Sequence, residues 1–191
     1  MTDERPSDGV GAQFTPGPER EVYRGAIISL AVGTFTAPDG TTFERDLVHH
    51  PGAVSVVPVT DDHRVVLVRQ FRAAVGDDLL EIPAGKRDVP GEPPEVTAHR
   101  ELAEEVGLVA GRLEPLARFY NSAGFCDELS HVFLGLDLRP VDRSTQGIEE
   151  AHMTIEQVAL AEVPAMIADG RLCDAKTIIG LTLAREALGL R

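Results

Sequence analysis

The chain has 191 residues, 43% of them hydrophobic, and a formal net charge of −13 at pH 7. That length suits one well-cored domain, or one domain with a small sheet attached, and is short for two independent ones. The acidic balance repels a phosphate backbone, so no nucleic acid partner is expected. No apolar run is long enough for a bilayer, and Asp3, Glu4, Arg5 and Pro6 stand where a signal peptide would need an apolar core. Cys126 and Cys173 form neither a disulfide framework nor a zinc spacing. A cytoplasmic protein with no membrane partner is the expectation.

Residues 1–20 are rich in Pro, Gly and charge and lack the apolar density to fold alone, so they are expected to form a flexible tail. In 21–50, Tyr23 to Thr36 and Thr42 to His49 carry β-rich patterns joined by Pro38-Asp39-Gly40, which predicts a hairpin. The remaining stretch, 51–191, is expected to be the main domain. Val54 to Val59 and Arg64 to Gln70 are dense in valine and predict two neighbouring core strands, with Leu79 to Ile82 a third. A helix follows: Pro93 and Pro94 suit its first turn, Glu92 and Glu95 its positive end, and Gly107 its C-terminal cap. Strands are expected over Leu113 to Tyr120, Leu129 to Leu138 and Met153 to Gln157, with a polar loop over Asp142 to Glu150. Helices near Val163 to Ala168 and Ala175 to Leu188 complete a mixed α/β layered domain.

The central helix carries the candidate chemistry. At ~100° per residue, Ala98, Leu102 and Val106 share an apolar stripe, and Glu101, Glu104 and Glu105 share the stripe beside it. Like charges three and four apart cost an isolated helix about 0.2–0.5 kcal/mol per pair. An acidic face is ordinarily solvated surface. Here, however, it opens directly after the strand end and loop Glu81-Ile82-Pro83-Ala84-Gly85. A hard divalent cation, which prefers oxygen ligands and can bridge carboxylates to phosphates, would compensate the repulsion. Arg100, beside the carboxylates, can orient one of them through its planar fork.

This pattern resembles the Nudix hydrolase signature: Gly85, a loop, Glu92, seven residues, then Arg100, Glu101, Leu102, Glu104, Glu105, Gly107 and Leu108. The six-residue loop between Gly85 and Glu92 is one longer than the commonest form. A residue added in the loop leaves the helix spacing intact, whereas one inside the helix would rotate the carboxylates by ~100°. The resemblance implies a Nudix-type α/β/α sandwich with a mixed sheet and a small N-terminal antiparallel β region. It also implies Glu101, Glu105 and Glu104 as Mg²⁺ ligands, with Mn²⁺ as a substitute, and the Ala84 carbonyl beside them. Glu104 is a further candidate base, and Glu92 and Arg100 would hold loop and helix together.

Flanking segments are similar to the ADP-ribose pyrophosphatase branch: Arg69-Gln70-Phe71-Arg72, Leu80 to Gly85, and Ser122-Ala123-Gly124-Phe125-Cys126-Asp127-Glu128, with Ala123 where the branch has Pro. That likeness implies hydrolysis of ADP-ribose to AMP and ribose 5-phosphate by a homodimer joined through its N-terminal sheet. It assigns Arg72, Glu81 and Phe125 to substrate and Glu149 or Glu150 to the catalytic base. Glu81 has the alternative of ending a strand, and Phe125 of packing in the core. Two rivals remain: a Nudix hydrolase for another nucleotide, and a nucleotide-sensing module without turnover.

Overall fold

A computed structural model describes residues 13–143 and 151–190. The chain divides into two compact units.

The first unit holds the described residues up to His50 together with Gly124–Cys126. It is an antiparallel sheet ordered β1 (Thr15–Arg24), β2 (Ser29–Thr36), β3 (Thr42–His49). The β2–β3 hairpin turns on Pro38-Asp39-Gly40, where the Gly40 N–H donates to the Ala37 carbonyl and Gly40 has φ 87°. Phe35 and Phe43 stack across it, 5.7 Å between ring centres.

Two expectations need correction in this unit. Thr15 to Arg20 are not tail but the first half of β1, and the span from Tyr23 to Thr36 is split by a turn closed from Gly25 N–H to Ile28 carbonyl. An edge strand draws its hydrogen bonds from its partner and needs no apolar density of its own. Pro16 and Pro18 are tolerated there because the register shifts between Pro16 and Glu19.

The second unit, Pro51–Ala123 with Asp127 onward, contains two sheets. One is ordered β7 (Ala84–Lys86), β4 (Ala53–Pro58), β9 (Leu129–Pro140), β8 (Leu108–Tyr120), with β4 parallel to β9. The other is β10 (Thr154–Ala159), β5 (Arg64–Arg72), β6 (Asp77–Glu81), antiparallel throughout. The expected neighbours β4 and β5 therefore belong to different sheets, touching in the ladder only through the isolated Val59–Val65 bridge. The strand expected from Leu113 begins at Leu108, directly after the helix, because pairing with β9 carries it through Gly111.

Strand β4 and the Val65 to Val68 part of β5 are buried on both faces, which explains their density in valine. Val54, Val56, Val66 and Val68 pack on Ala98, Leu102 and Val106 of α1 (Pro94–Val106). Val57, Val59, Val65 and Leu67 face the opposite way, toward Val163 and Met166 of α2 (Val163–Ala168) and Leu181 and Ala184 of α3 (Ala175–Ala187). Helices on both sides of the strand layer make the α/β/α sandwich. At each fully buried aliphatic such as Leu102, truncation to Ala costs about 2–5 kcal/mol.

Candidate active site

Helix α1 starts and stops where its chemistry demands. Pro93 caps it in extended geometry, and Pro94 occupies the first turn, where a missing N–H costs nothing. Gly107, at φ 65°, takes the left-handed cap and donates to the carbonyls of Ala103 and Leu102. The long loop before it closes with Pro90-Gly91: Gly91 has φ 78° and the Glu92 N–H returns to the Val89 carbonyl, the arrangement of a type II turn. The extra residue is thus absorbed outside the helix.

The acidic residues lie where their spacing put them, on one helix face, but they are buried deeper than a solvated surface would allow. Glu101 is 9% exposed and Glu105 4%. Arg100 serves several carboxylates at once. Its Nη1 donates to Glu101 Oε1 at 2.8 Å and Glu104 Oε2 at 3.3 Å; its Nη2 reaches Glu92 Oε2 at 3.4 Å and Asp88 at 3.8 Å. Burial pushes the Arg100 pKa down, but Glu101, Glu104 and Glu92 outweigh it and hold it above the ordinary arginine value. Glu92 also accepts from the Thr97 hydroxyl at 2.7 Å, which ties loop to helix.

Gly85 lies against this cluster. A Cβ there would stand 1.9 Å from the Glu101 carboxyl carbon and 2.2 Å from both its oxygens, so the Glu101 carboxylate occupies the space that glycine leaves. The neighbouring Ala84 N–H donates to Glu105 Oε2 at 2.9 Å. Among the described residues, no three acidic, His or Cys side chains are gathered tightly enough to cage an ion as they stand. Their oxygens lie instead on Arg100 and Ala84. The donor set nevertheless fits a hard divalent cation: carboxylates only, two of them buried, with one guanidinium shared among four acids.

A second group of charges adjoins the first. Arg72, at the end of β5, forks onto Glu81 at the end of β6, with Nε to Oε1 and Nη2 to Oε2 both 2.6 Å. Glu81 is fully buried and also accepts from Lys176. Lys176 pairs in turn with Asp174 at 3.0 Å, and Asp174 caps α3 by accepting from the Thr177 N–H. The Arg72 pKa is raised, first by the Glu81 hydrogen bond and then by the charges of Glu81, Asp174 and Glu105, so Arg72 lies within the field of the α1 carboxylates. The segment between these groups is pinned from both sides: Ile82 N–H donates to Thr177 Oγ1 at 3.0 Å, and Ala84 N–H to Glu105.

The structure therefore brings Arg72, Glu81, Ala84 and the α1 acids into one region. Glu81, which the family resemblance assigns to substrate, has both its oxygens engaged inside the protein, by Arg72 and Lys176. Phe125 does not pack in a core; it is 56% exposed, in the first unit, where its carbonyl accepts from Val48 N–H. Glu149 and Glu150 lie outside the described residues. Sequence reasoning missed Asp174, Lys176 and Thr177. Asp174 ahead of Ala175 was a legible helix cap, but nothing local linked Lys176 to Glu81, 95 residues away.

A NUDIX domain profile matches residues 49–176. An ADP-ribose pyrophosphatase of Bacillus subtilis (strain 168) is 38% identical over 159 residues, 83% of this chain and 85% of that protein. An ADP-ribose pyrophosphatase of Mycobacterium tuberculosis is 38% identical over 160 residues, 84% and 77%. A methanol dehydrogenase activator of Bacillus methanolicus is 35% identical over 161 residues, 84% and 86%. In fold, the crystal structure of an ADP compounds hydrolase superposes with a TM-score of 0.81 at 24% identity, covering 95% of this chain and 97% of that one. The matched span contains the acidic helix, its loop and the Arg72–Glu81 pair, and the chain belongs to the Nudix family.

Proposed function

We propose that this Nudix hydrolase cleaves the pyrophosphate bond of ADP-ribose, giving AMP and ribose 5-phosphate, with Mg²⁺ as its metal and Mn²⁺ as a substitute. The observation that carries the chemistry is the acid excess on α1, where Arg100 is shared by Glu92, Glu101, Glu104 and Asp88 while Glu105 lies buried one turn on. The substrate follows from the two ADP-ribose pyrophosphatases at 38% identity.

Glu101, Glu104 and Glu105 with the Ala84 carbonyl would hold a divalent ion, whose positive charge would offset the charge of the diphosphate and lower the pKa of water. The chain's own residues do the rest. Arg100 orients Glu101 and Glu104 and, through Glu92, keeps the loop on the helix. Arg72 uses Nε and Nη2 on Glu81, which leaves Nη1 to donate to a phosphate oxygen. Glu149 or Glu150, by the family resemblance, takes the proton of the attacking water, with Glu104 the alternative. Phe125, exposed and aromatic, is assigned to substrate by the family resemblance alone.

The protein works as a homodimer in the cytoplasm. The N-terminal sheet supports the first reading, since Phe14, Val22 and Tyr23 are large apolar residues left exposed on and beside β1. The low cysteine count, two in 191 residues, supports the second. Product analysis with ADP-ribose and Mg²⁺ tests the activity: AMP and ribose 5-phosphate in equal amounts are expected. Faster turnover of nucleoside triphosphates or sugar nucleotides would contradict the substrate. Light scattering at a range of concentrations tests the dimer, which a monomer mass would exclude.

A further inference from the structure

Lys176 stands at the second residue of α3, the positive end of the helix, where a cation is locally disfavoured. A residue placed against local preference indicates a gain elsewhere. The gain is visible in its partners. Lys176 is only 11% exposed and contacts both Glu81 Oε2 and Asp174 Oδ2. Glu81 is fully buried, and a buried carboxylate must be paired. Arg72 alone would pair it, but Asp174 acts electrostatically on the same guanidinium. Lys176 occupies Asp174 and steadies the Glu81 oxygen that receives Arg72 Nη2.

We propose that Lys176 is a positioning residue: by holding Glu81 and occupying Asp174, it fixes the Arg72 guanidinium so that the Nη1 edge points to the phosphate oxygens of the bound diphosphate. The inference rests on the reading of Arg72 as a substrate contact. It places a residue of the C-terminal helix, remote in sequence from the acidic helix, in control of substrate affinity.

Steady-state kinetics with ADP-ribose and Mg²⁺ test it on Lys176→Met, Lys176→Arg, Arg72→Ala and the Lys176→Met/Arg72→Ala double variant. Lys176→Met is expected to raise KM about tenfold with kcat changed less than about threefold, and Lys176→Arg to recover most of the loss. In the Arg72→Ala background, Lys176→Met should change KM by less than about twofold, because the group it positions is gone. Multiplying effects in the double variant overturn the proposal, as does an unchanged KM in Lys176→Met beside a raised KM in Arg72→Ala. An inert Arg72→Ala, or a wild type that leaves ADP-ribose intact, sinks the underlying substrate reading and this inference with it. Melting curves identify a variant that fails to fold; Lys176→Gln, which keeps an N–H donor for Glu81 but no charge, then takes the place of Lys176→Met, with a smaller rise in KM, about threefold, that again disappears in the Arg72→Ala background.

Discussion

Two buried glutamates make an instructive pair. Glu81 has both oxygens engaged by cations, Arg72 in a fork and Lys176 beside it. Glu105, also buried, receives the Ala84 backbone N–H on a helix face whose Arg100 is already divided among Glu92, Glu101, Glu104 and Asp88. Charge decides the roles. A buried acid in a balanced network of two carboxylates and two cations serves to hold its neighbours. Acids that outnumber their cation keep oxygen donors for an ion brought from outside.

Removing charge from each region should therefore do different things. Glu105→Gln keeps an acceptor for Ala84 N–H but loses the anion, so turnover should fall more than about a thousandfold while the melting temperature holds or rises. Near wild-type turnover would break the contrast. Glu81→Ala should act the opposite way, costing about 3 kcal/mol in urea unfolding because Arg72 and Lys176 lose their shared partner. Gly85→Ala tests the crowding around Glu101: the methyl must displace the carboxylate, and kcat should drop roughly a hundredfold.

The smallest expected effect is on pH dependence. Burial pushes the Asp174 carboxyl up, but the Lys176 charge and the Thr177 hydrogen bonds outweigh it and hold it below the ordinary aspartate range. A carboxyl depressed in the folded state adds stability that is complete above its unfolded value, about 3.9, and is lost as pH falls through the folded value. Asp174→Asn, which preserves the cap acceptor, should thus lose stability less steeply than wild type below about pH 4. Identical slopes would remove Asp174 from the balanced network.

Much of this was legible along the chain where the physics is local. Pro94 and Gly107 mark the ends of α1, and the i, i+3, i+4 carboxylates share a face whatever surrounds the helix. The alternation of Val54 and Val56 against Val57 and Val59 was also present in the sequence. Their assignment to two sheets was not, since β4 and β5 look like a hairpin until the partners β9 and β10 claim them. The role of Glu81 was hidden for the same reason: its second cation arrives from α3. Likewise, β1 draws its strand character from β2 and not from its own Pro- and Gly-containing residues.

Mg²⁺ titration of the substrate-free protein, followed by calorimetry or melting temperature, bears most directly on the α1 acids. Wild type should bind the ion and melt higher in its presence by an amount that grows with its concentration, and Glu105→Gln should lose most of that response. Equal responses from the two proteins, or none from wild type, would contradict a cation site on this helix.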